Sequence, residues 1–188
     1  MNLRALDTLF RHTLCMEKAL LIIAANGFQD KELAAVRDAL IAADFAVELA
    51  SSKKGSCTGK FGSTEEALYG FEEIDLGNFD RVCFIGGPGA VAMADDAIAQ
   101  HLTRSVVRSG KPLGAICIAP TILAKGGVLK DRKATVWDDG AGTQIDLLER
   151  CGAFYANVPV VVDGLIVTGN GPEAAVEFGK IFAALTVS

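Results

Sequence analysis

Gly114-Ala115-Ile116-Cys117-Ile118-Ala119-Pro120 sets a cysteine between two different patterns. Residues 112–116 are a short run of small and apolar residues, as in a strand covered on both faces. Residues 118–125 read as a helix. A strand ending at Ile116 and a helix starting after Cys117 leave the cysteine on a sharp turn, the thiol counterpart of a nucleophile elbow. Ala119 is small enough for the helix to pack closely under that turn. A thiol at a helix N-terminus meets the positive end of the macrodipole and free amides, so its pKa is expected to fall. The residues by themselves leave two readings open: a catalytic or redox thiol, or a buried structural cysteine.

On either side, strands and helices alternate. Residues 19–25 are a continuous apolar run that suits a buried parallel strand. Residues 26–29 turn the chain, and Asp30 is expected to cap a helix carrying Leu33, Val36 and Leu40 on one face. Strands follow at 45–49, 81–85 and 133–137, and helices at 95–108 and 142–150. Residues 51–76 are polar and read as an irregular excursion or small hairpin. Strands at 158–162 and 165–168 flank Asp163-Gly164, a hairpin turn signal. Pro172 suits the first turn of a last helix over 173–185. Alternating βα units with apolar strands predict an α/β sandwich, helices on both faces of a mainly parallel sheet.

The composition agrees with one globular domain. The chain has 188 residues, 51% hydrophobic and 22% charged, about the length of a single domain and long enough to need neither disulfides nor metal. Its formal charge of −5 argues against a general nucleic-acid or anionic-membrane partner. No apolar run approaches the roughly 18 residues of a membrane span. The five cysteines form no CxxC pair, and no secretory signal is visible, so free thiols in a reducing cytoplasm are expected. Residues 1–15 stand apart: Arg4, Arg11 and one acid, with Leu3, Leu6, Phe10 and Leu14 at helical spacing. They read as an amphipathic extension to a domain at 16–188, or alternatively as an organelle-targeting peptide.

Two further loops can carry chemistry. Gly86-Gly87 follows the 81–85 strand, and its amides can stabilise an oxyanion; a purely structural turn is the plainer alternative. Residues 87–92 also fit GxGxxA, but not after the first strand, and no acid lies about 20 residues on to hold a ribose. Gln29-Asp30-Lys31-Glu32 follows the first strand, on the sheet edge where ligands collect, although capping carboxylates would look the same.

Four motifs stand in an informative order: AlaAsnGlyPheGlnAspLysGluLeu (25–33), PheIleGlyGlyProGly (84–89), GlyAlaIleCysIleAlaPro (114–120) and ThrGlyAsnGlyPro (168–172). Together they resemble the ThiJ/PfpI superfamily, which includes a parkinsonism-linked deglycase, PfpI-type intracellular peptidases and isocyanide hydratases. The resemblance spans residue 17 to the C-terminus. It implies a flavodoxin-like three-layer sandwich, a homodimer, a small-molecule substrate, and no cofactor or metal. Residue by residue, Cys117 matches the reactive elbow cysteine and Glu32 the acid that contacts its sulfur, usually as a protonated donor. Gly87 and Ile118 match the backbone donors around the sulfur. Gly86, Trp137, Asp138 and Asn170 are expected to line the pocket.

Departures from the pattern bear on the reaction. The peptidase-type His directly after the cysteine is replaced by Ile118, which cannot act as a base. The deglycase-type His is replaced by Trp137, and an Arg of the last loop by Asn170. His12 and His101 are the only histidines; the first lies in the extension and the second on a helix. Two function classes remain. One is a cysteine-dependent enzyme acting on a small electrophilic substrate, glyoxalase- or deglycase-like or a hydrolase or hydratase, through Cys117 and Glu32. The other is a non-enzymatic oxidation sensor or protective, chaperone-like protein using the same cysteine. A PfpI-type peptidase has the least support.

Overall fold

The computed structural model describes residues 16–187. The chain runs β1 (Lys18–Ile22), β2 (Asn26–Phe28), α1 (Asp30–Ala42), β3 (Ala46–Ser51), β4 (Gly55–Gly59), β5 (Thr64–Ala67), β6 (Tyr69–Gly70), β7 (Arg81–Phe84), α2 (Ala90–Met93), α3 (Ala97–Arg108), β8 (Leu113–Ile116), α4 (Pro120–Lys125), β9 (Lys133–Ala134), α5 (Thr143–Arg150), β10 (Phe154–Tyr155), β11 (Val160–Asp163), β12 (Ile166–Gly169) and α6 (Ala175–Ala184).

The apolar run at 19–25 supplies the centre of a seven-stranded sheet, ordered β11-β12-β8-β7-β1-β3-β6. β1 pairs in parallel with β3 on one side and β7 on the other. The β7–β8 and β8–β12 pairs are also parallel, and only the edge pair β11–β12 is antiparallel in this sheet. The chain leaves β1 in one direction and returns to build β7 and β8 in the other, so right-handed crossovers put helices on opposite faces. α1 and α6 pack together, while α3 packs on α4 and α4 on α5. Leu20, Leu21, Ile22, Phe84, Phe178 and Phe182 are fully buried between these layers. The expected α/β sandwich is therefore the observed one.

Several local expectations change. The 51–76 excursion is organised: β4 and β5 form an antiparallel hairpin that joins β2, and β6 adds an edge strand to the main sheet. Asp30 does not cap α1. The N-cap is Gln29, without a side-chain bond, and the Asp30 carboxylate instead accepts from the Phe61 and Ser63 amides at 2.9 and 3.1 Å. The 95–108 helix begins at Ala97, where Asp96 accepts from Ile98 N and Ala99 N at 2.7 and 3.1 Å. The 133–137 strand shrinks to two residues because Thr135 N turns to the Thr168 hydroxyl at 2.9 Å. Pro172 opens a 3-10 turn, and the last helix starts at Ala175.

A buried charge closes that last helix. The Arg81 guanidinium lies 3.9 Å from the centre of the Phe45 ring. It donates to the carbonyls of Phe182, Ala183 and Leu185 at 2.5, 2.7 and 3.2 Å. These are groups that a helix C-terminus leaves without partners. The extension at 1–15 lies outside the described residues. Among the described residues no helix is long and apolar enough to cross a membrane.

Candidate active site

The site lies beyond the carboxyl ends of β1, β7 and β8, where open α/β sheets collect ligands. Cys117 follows β8 directly with φ +63°, one of three non-glycine residues in left-handed conformation among those described. Asp44 and Asp131, the other two, sit in turns, and aspartate tolerates that region. For cysteine the conformation costs on the order of 1–3 kcal/mol. Two bonds hold it there: Cys117 N donates to Gly169 O at 2.9 Å, and Trp137 N donates to Cys117 O at 2.8 Å.

The sulfur sits in a nest of backbone donors. The Gly87 and Ile118 amides both bond to it. α4 is six residues long and begins only at Pro120, so those two amides, not a helix end, are its electrostatic support. The Gly86-Gly87 turn can approach so closely because it lacks side chains. A Cβ on Gly86 would lie 2.5 Å from Cys117 Cβ and 2.7 Å from Ile116 O. Gly87 has φ +108°, with backbone of residues 27–29 occupying the place of a side chain.

Glu32, in the first turn of α1, is fully buried. Its Oε2 accepts from Gly86 N at 3.1 Å, and its Oε1 has no hydrogen-bond partner. Burial pushes the acid up to about 7, against the opposing influence of the Cys117 side chain, the Gly86 amide and the Lys60 charge. Burial also pushes the Cys117 thiol up to about 12, helped by the negative charge of Glu32 and by the contact with its carboxyl. The expected fall in thiol pKa is thus overturned. The elbow is only 7% exposed, and desolvation outweighs the two amides. The physical unit is the pair. Between about 7 and about 12 it holds one proton and one negative charge. The Gly86 amide favours the charge on the carboxylate, and the Gly87 and Ile118 amides favour it on sulfur.

A cavity of about 460 Å³ opens on the sulfur. Of the residues expected in the site, Cys117, Gly87, Ile118 and Trp137 line it. Glu32 and Gly86 stand behind the sulfur. Gly86, Asp138 and Asn170 are not among the lining residues, a correction to the sequence expectation. The Asp138 carboxylate is occupied by the amides of Gly140, Gly142 and Gln144 at 2.8–3.2 Å, holding the loop into α5. Asn170 N is bonded to Pro159 O at 3.0 Å. Gln29, named from the sequence only as part of a candidate loop, also lines the cavity, as do Lys60, Asp139 and Gln144, which sequence reasoning did not place there. Lys60 lies in the stretch read as irregular, and only the hairpin pairing brings it here. Among the described residues no histidine lines the cavity, and His101 is exposed on α3. Among the described residues no group of three or more His, Cys, Asp or Glu is placed to hold a metal ion.

The family model described as DJ-1/PfpI matches residues 17–185. A deglycase of Thermococcus kodakarensis is 36% identical over 154 residues, covering 81% of this chain and 89% of its own. A glutathione-independent glyoxalase of Caenorhabditis elegans is 25% identical over 162 residues, covering 86% and 84%. The crystal structure of a ThiJ/PfpI domain protein from Brachyspira murdochii superposes with a TM-score of 0.84 at 26% identity, covering 88% of this chain and 94% of that one.

Proposed function

The chain belongs to the DJ-1/PfpI family, and on that premise we propose that it is a cysteine-dependent enzyme converting small vicinal dicarbonyls, with Cys117 as nucleophile and Glu32 as proton shuttle. The observation that carries the reading is the left-handed Cys117, its sulfur between the Gly87 and Ile118 amides with the buried Glu32 carboxyl beside it. In the acid–thiolate form, sulfur adds to the aldehyde carbon, and Glu32 gives its proton to the resulting alkoxide. The two amides are placed to hold the charge that develops. The carboxylate then takes the C–H proton of the hemithioacetal and passes it to the neighbouring carbonyl oxygen, giving an enediol. Reprotonation at the neighbouring carbon gives a thioester, and water releases the 2-hydroxy acid and restores the thiol. One acid serves every proton transfer, so the missing histidine is not required.

The test is conversion of methylglyoxal to lactate by the purified protein. Cys117→Ala is expected to abolish it, and Glu32→Gln to reduce it at least a hundredfold. Lactate formation unaffected by either substitution defeats the proposal. Among the described residues Cys117 has no histidine beside it, which favours a second reading, an oxidation sensor in which Cys117 is oxidised to a sulfinate held by Glu32 and the same amides. Conversion of Cys117 to the sulfinate by two equivalents of added hydrogen peroxide, without turnover of dicarbonyls, would select it.

A further inference from the structure

We infer that Lys60 and Gln29 form an anion- and hydroxyl-binding subsite beside Cys117, so that the preferred substrates are small reactive carbonyls carrying a carboxylate or phosphate. This rests on the reading of Cys117 as a nucleophile toward carbonyl carbon and specifies what else the substrate bears.

Lys60 is placed by backbone, not by chance of a long side chain. It sits at the tip of the β4–β5 hairpin, and its N–H donates to Phe28 O at 2.8 Å. The flanking amides of Phe61 and Ser63 are clamped by the Asp30 carboxylate at 2.9 and 3.1 Å. Three bonds thus fix the tip against the segment that carries Gln29. The Lys60 ammonium lies 5.5 Å from the centre of the exposed Phe61 ring. It has no anionic partner among the described residues, while its charge reaches Glu32. A cation on a cavity wall with no carboxylate in ion-pair contact is a site for an anion.

Gln29 supplies an independent sign of a ligand. It lines the same cavity, is 6% exposed, and its Oε1 has no hydrogen-bond partner. A buried acceptor without a donor is costly unless something brings one. A hydroxyl next to the reacting carbon, or the hydrate of a carbonyl, is such a donor. The other charged lining residue, Asp139, already accepts from Ala141 N at 2.9 Å. Apolar Val91, Pro88 and Ile118 complete a space suited to a few-carbon molecule. A substrate with its carbonyl at sulfur, a hydroxyl at Gln29 and an anionic end at Lys60 satisfies all three.

The probes are unreactive: lactate, propane-1,2-diol 1-phosphate and neutral propane-1,2-diol, titrated into the full chain. Binding is read by fluorescence of Trp137, the single tryptophan and a cavity residue, and by protection of Cys117 from iodoacetamide. One of the two anions is expected to bind at least tenfold tighter than the diol, and the tighter one assigns carboxylate or phosphate. Lys60→Met is expected to weaken anion binding at least tenfold, Lys60→Arg to restore it to within threefold, and Gln29→Leu to weaken all three hydroxyl-bearing probes. Unfolding midpoints check that each variant folds. Equal affinity for anions and diol, no binding of any probe, or unchanged anion binding in Lys60→Met overturns the subsite. Anion binding through Lys60 without turnover of any dicarbonyl keeps the subsite and removes the reaction.

Discussion

Trp137 N donates to the carbonyl oxygen of Cys117 at 2.8 Å, tying the indole-bearing residue of the cavity to the backbone of the elbow. Whatever is attached to the sulfur therefore changes the surroundings of the chain's single tryptophan. Stoichiometric alkylation of Cys117 is expected to shift or quench the emission, and alkylation of the half-buried Cys151 is not. Labelling followed by mass spectrometry and fluorescence on the same samples checks this.

The pair predicts a particular pH dependence. Its first proton leaves near 7, the value to which Glu32 is raised, although the thiol beside a charged Glu32 stands near 12. Alkylation of Cys117 is expected to accelerate through about pH 7 in the parent chain. In Glu32→Gln that step disappears, and the rate climbs only in the range of a buried thiol. An unchanged profile in the variant refutes coupling between the two groups.

Stability should depend on the same acid. Its pKa is raised on folding from 4.5 to about 7, so the folded state binds more protons between these values. The associated stability is present below about 4.5 and is lost as pH rises through about 7. The upper limit is about 3–4 kcal/mol, from roughly 1.4 kcal/mol per unit. Glu32→Gln is therefore expected to flatten the fall in denaturation midpoint between pH 5 and 8. Chemical unfolding at both pH values measures it.

Gly86→Ala is expected to destabilise by about 1–3 kcal/mol, as overpacking does, and to abolish reaction at Cys117. The added Cβ would lie 2.5 Å from Cys117 Cβ and 2.8 Å from Glu32 Oε2, so nucleophile and acid cannot keep their places. Near-normal thiol reactivity in a folded Gly86→Ala protein contradicts this geometry.

Arg81→Met is expected to cost about 2 kcal/mol through the end of α6. The aliphatic replacement preserves packing against Phe45 but leaves carbonyls of Phe182, Ala183 and Leu185 without their donor. Faster amide exchange in the last turn, with the elbow unaltered, would localise the loss.

The layered fold was legible because apolar runs such as 19–25 and the strand before Cys117 have one physical use, the interior of a parallel sheet. Cys117 was legible because a strand-to-helix change isolates it. Glu32 and the donor pair followed from resemblance, since nothing local in residues 29–32 separates a buried acid from a capping one. Asp30 shows the limit: its position invites an N-cap, yet a hairpin some thirty residues away takes its carboxylate. Lys60 was hidden for the same reason, because only pairing of β4 with β2 and β5 brings its side chain to the cavity. The thiol's pKa was misjudged because sequence shows the turn and not how deeply it is buried.

The bond from Cys117 N to Gly169 O also orders events during synthesis. Residue 169 belongs to the last strand, which joins the sheet next to β8. A nascent chain lacking that strand has β8 as an unpaired edge and no acceptor for the elbow amide. Such non-local pairing forms late, since the intervening loop must first be closed. The cysteine therefore acquires its left-handed geometry only after residue 169 has left the ribosome. A polypeptide that stops short of β12 carries the thiol without its reactive setting, so the pairing of β12 with β8 is what arms it.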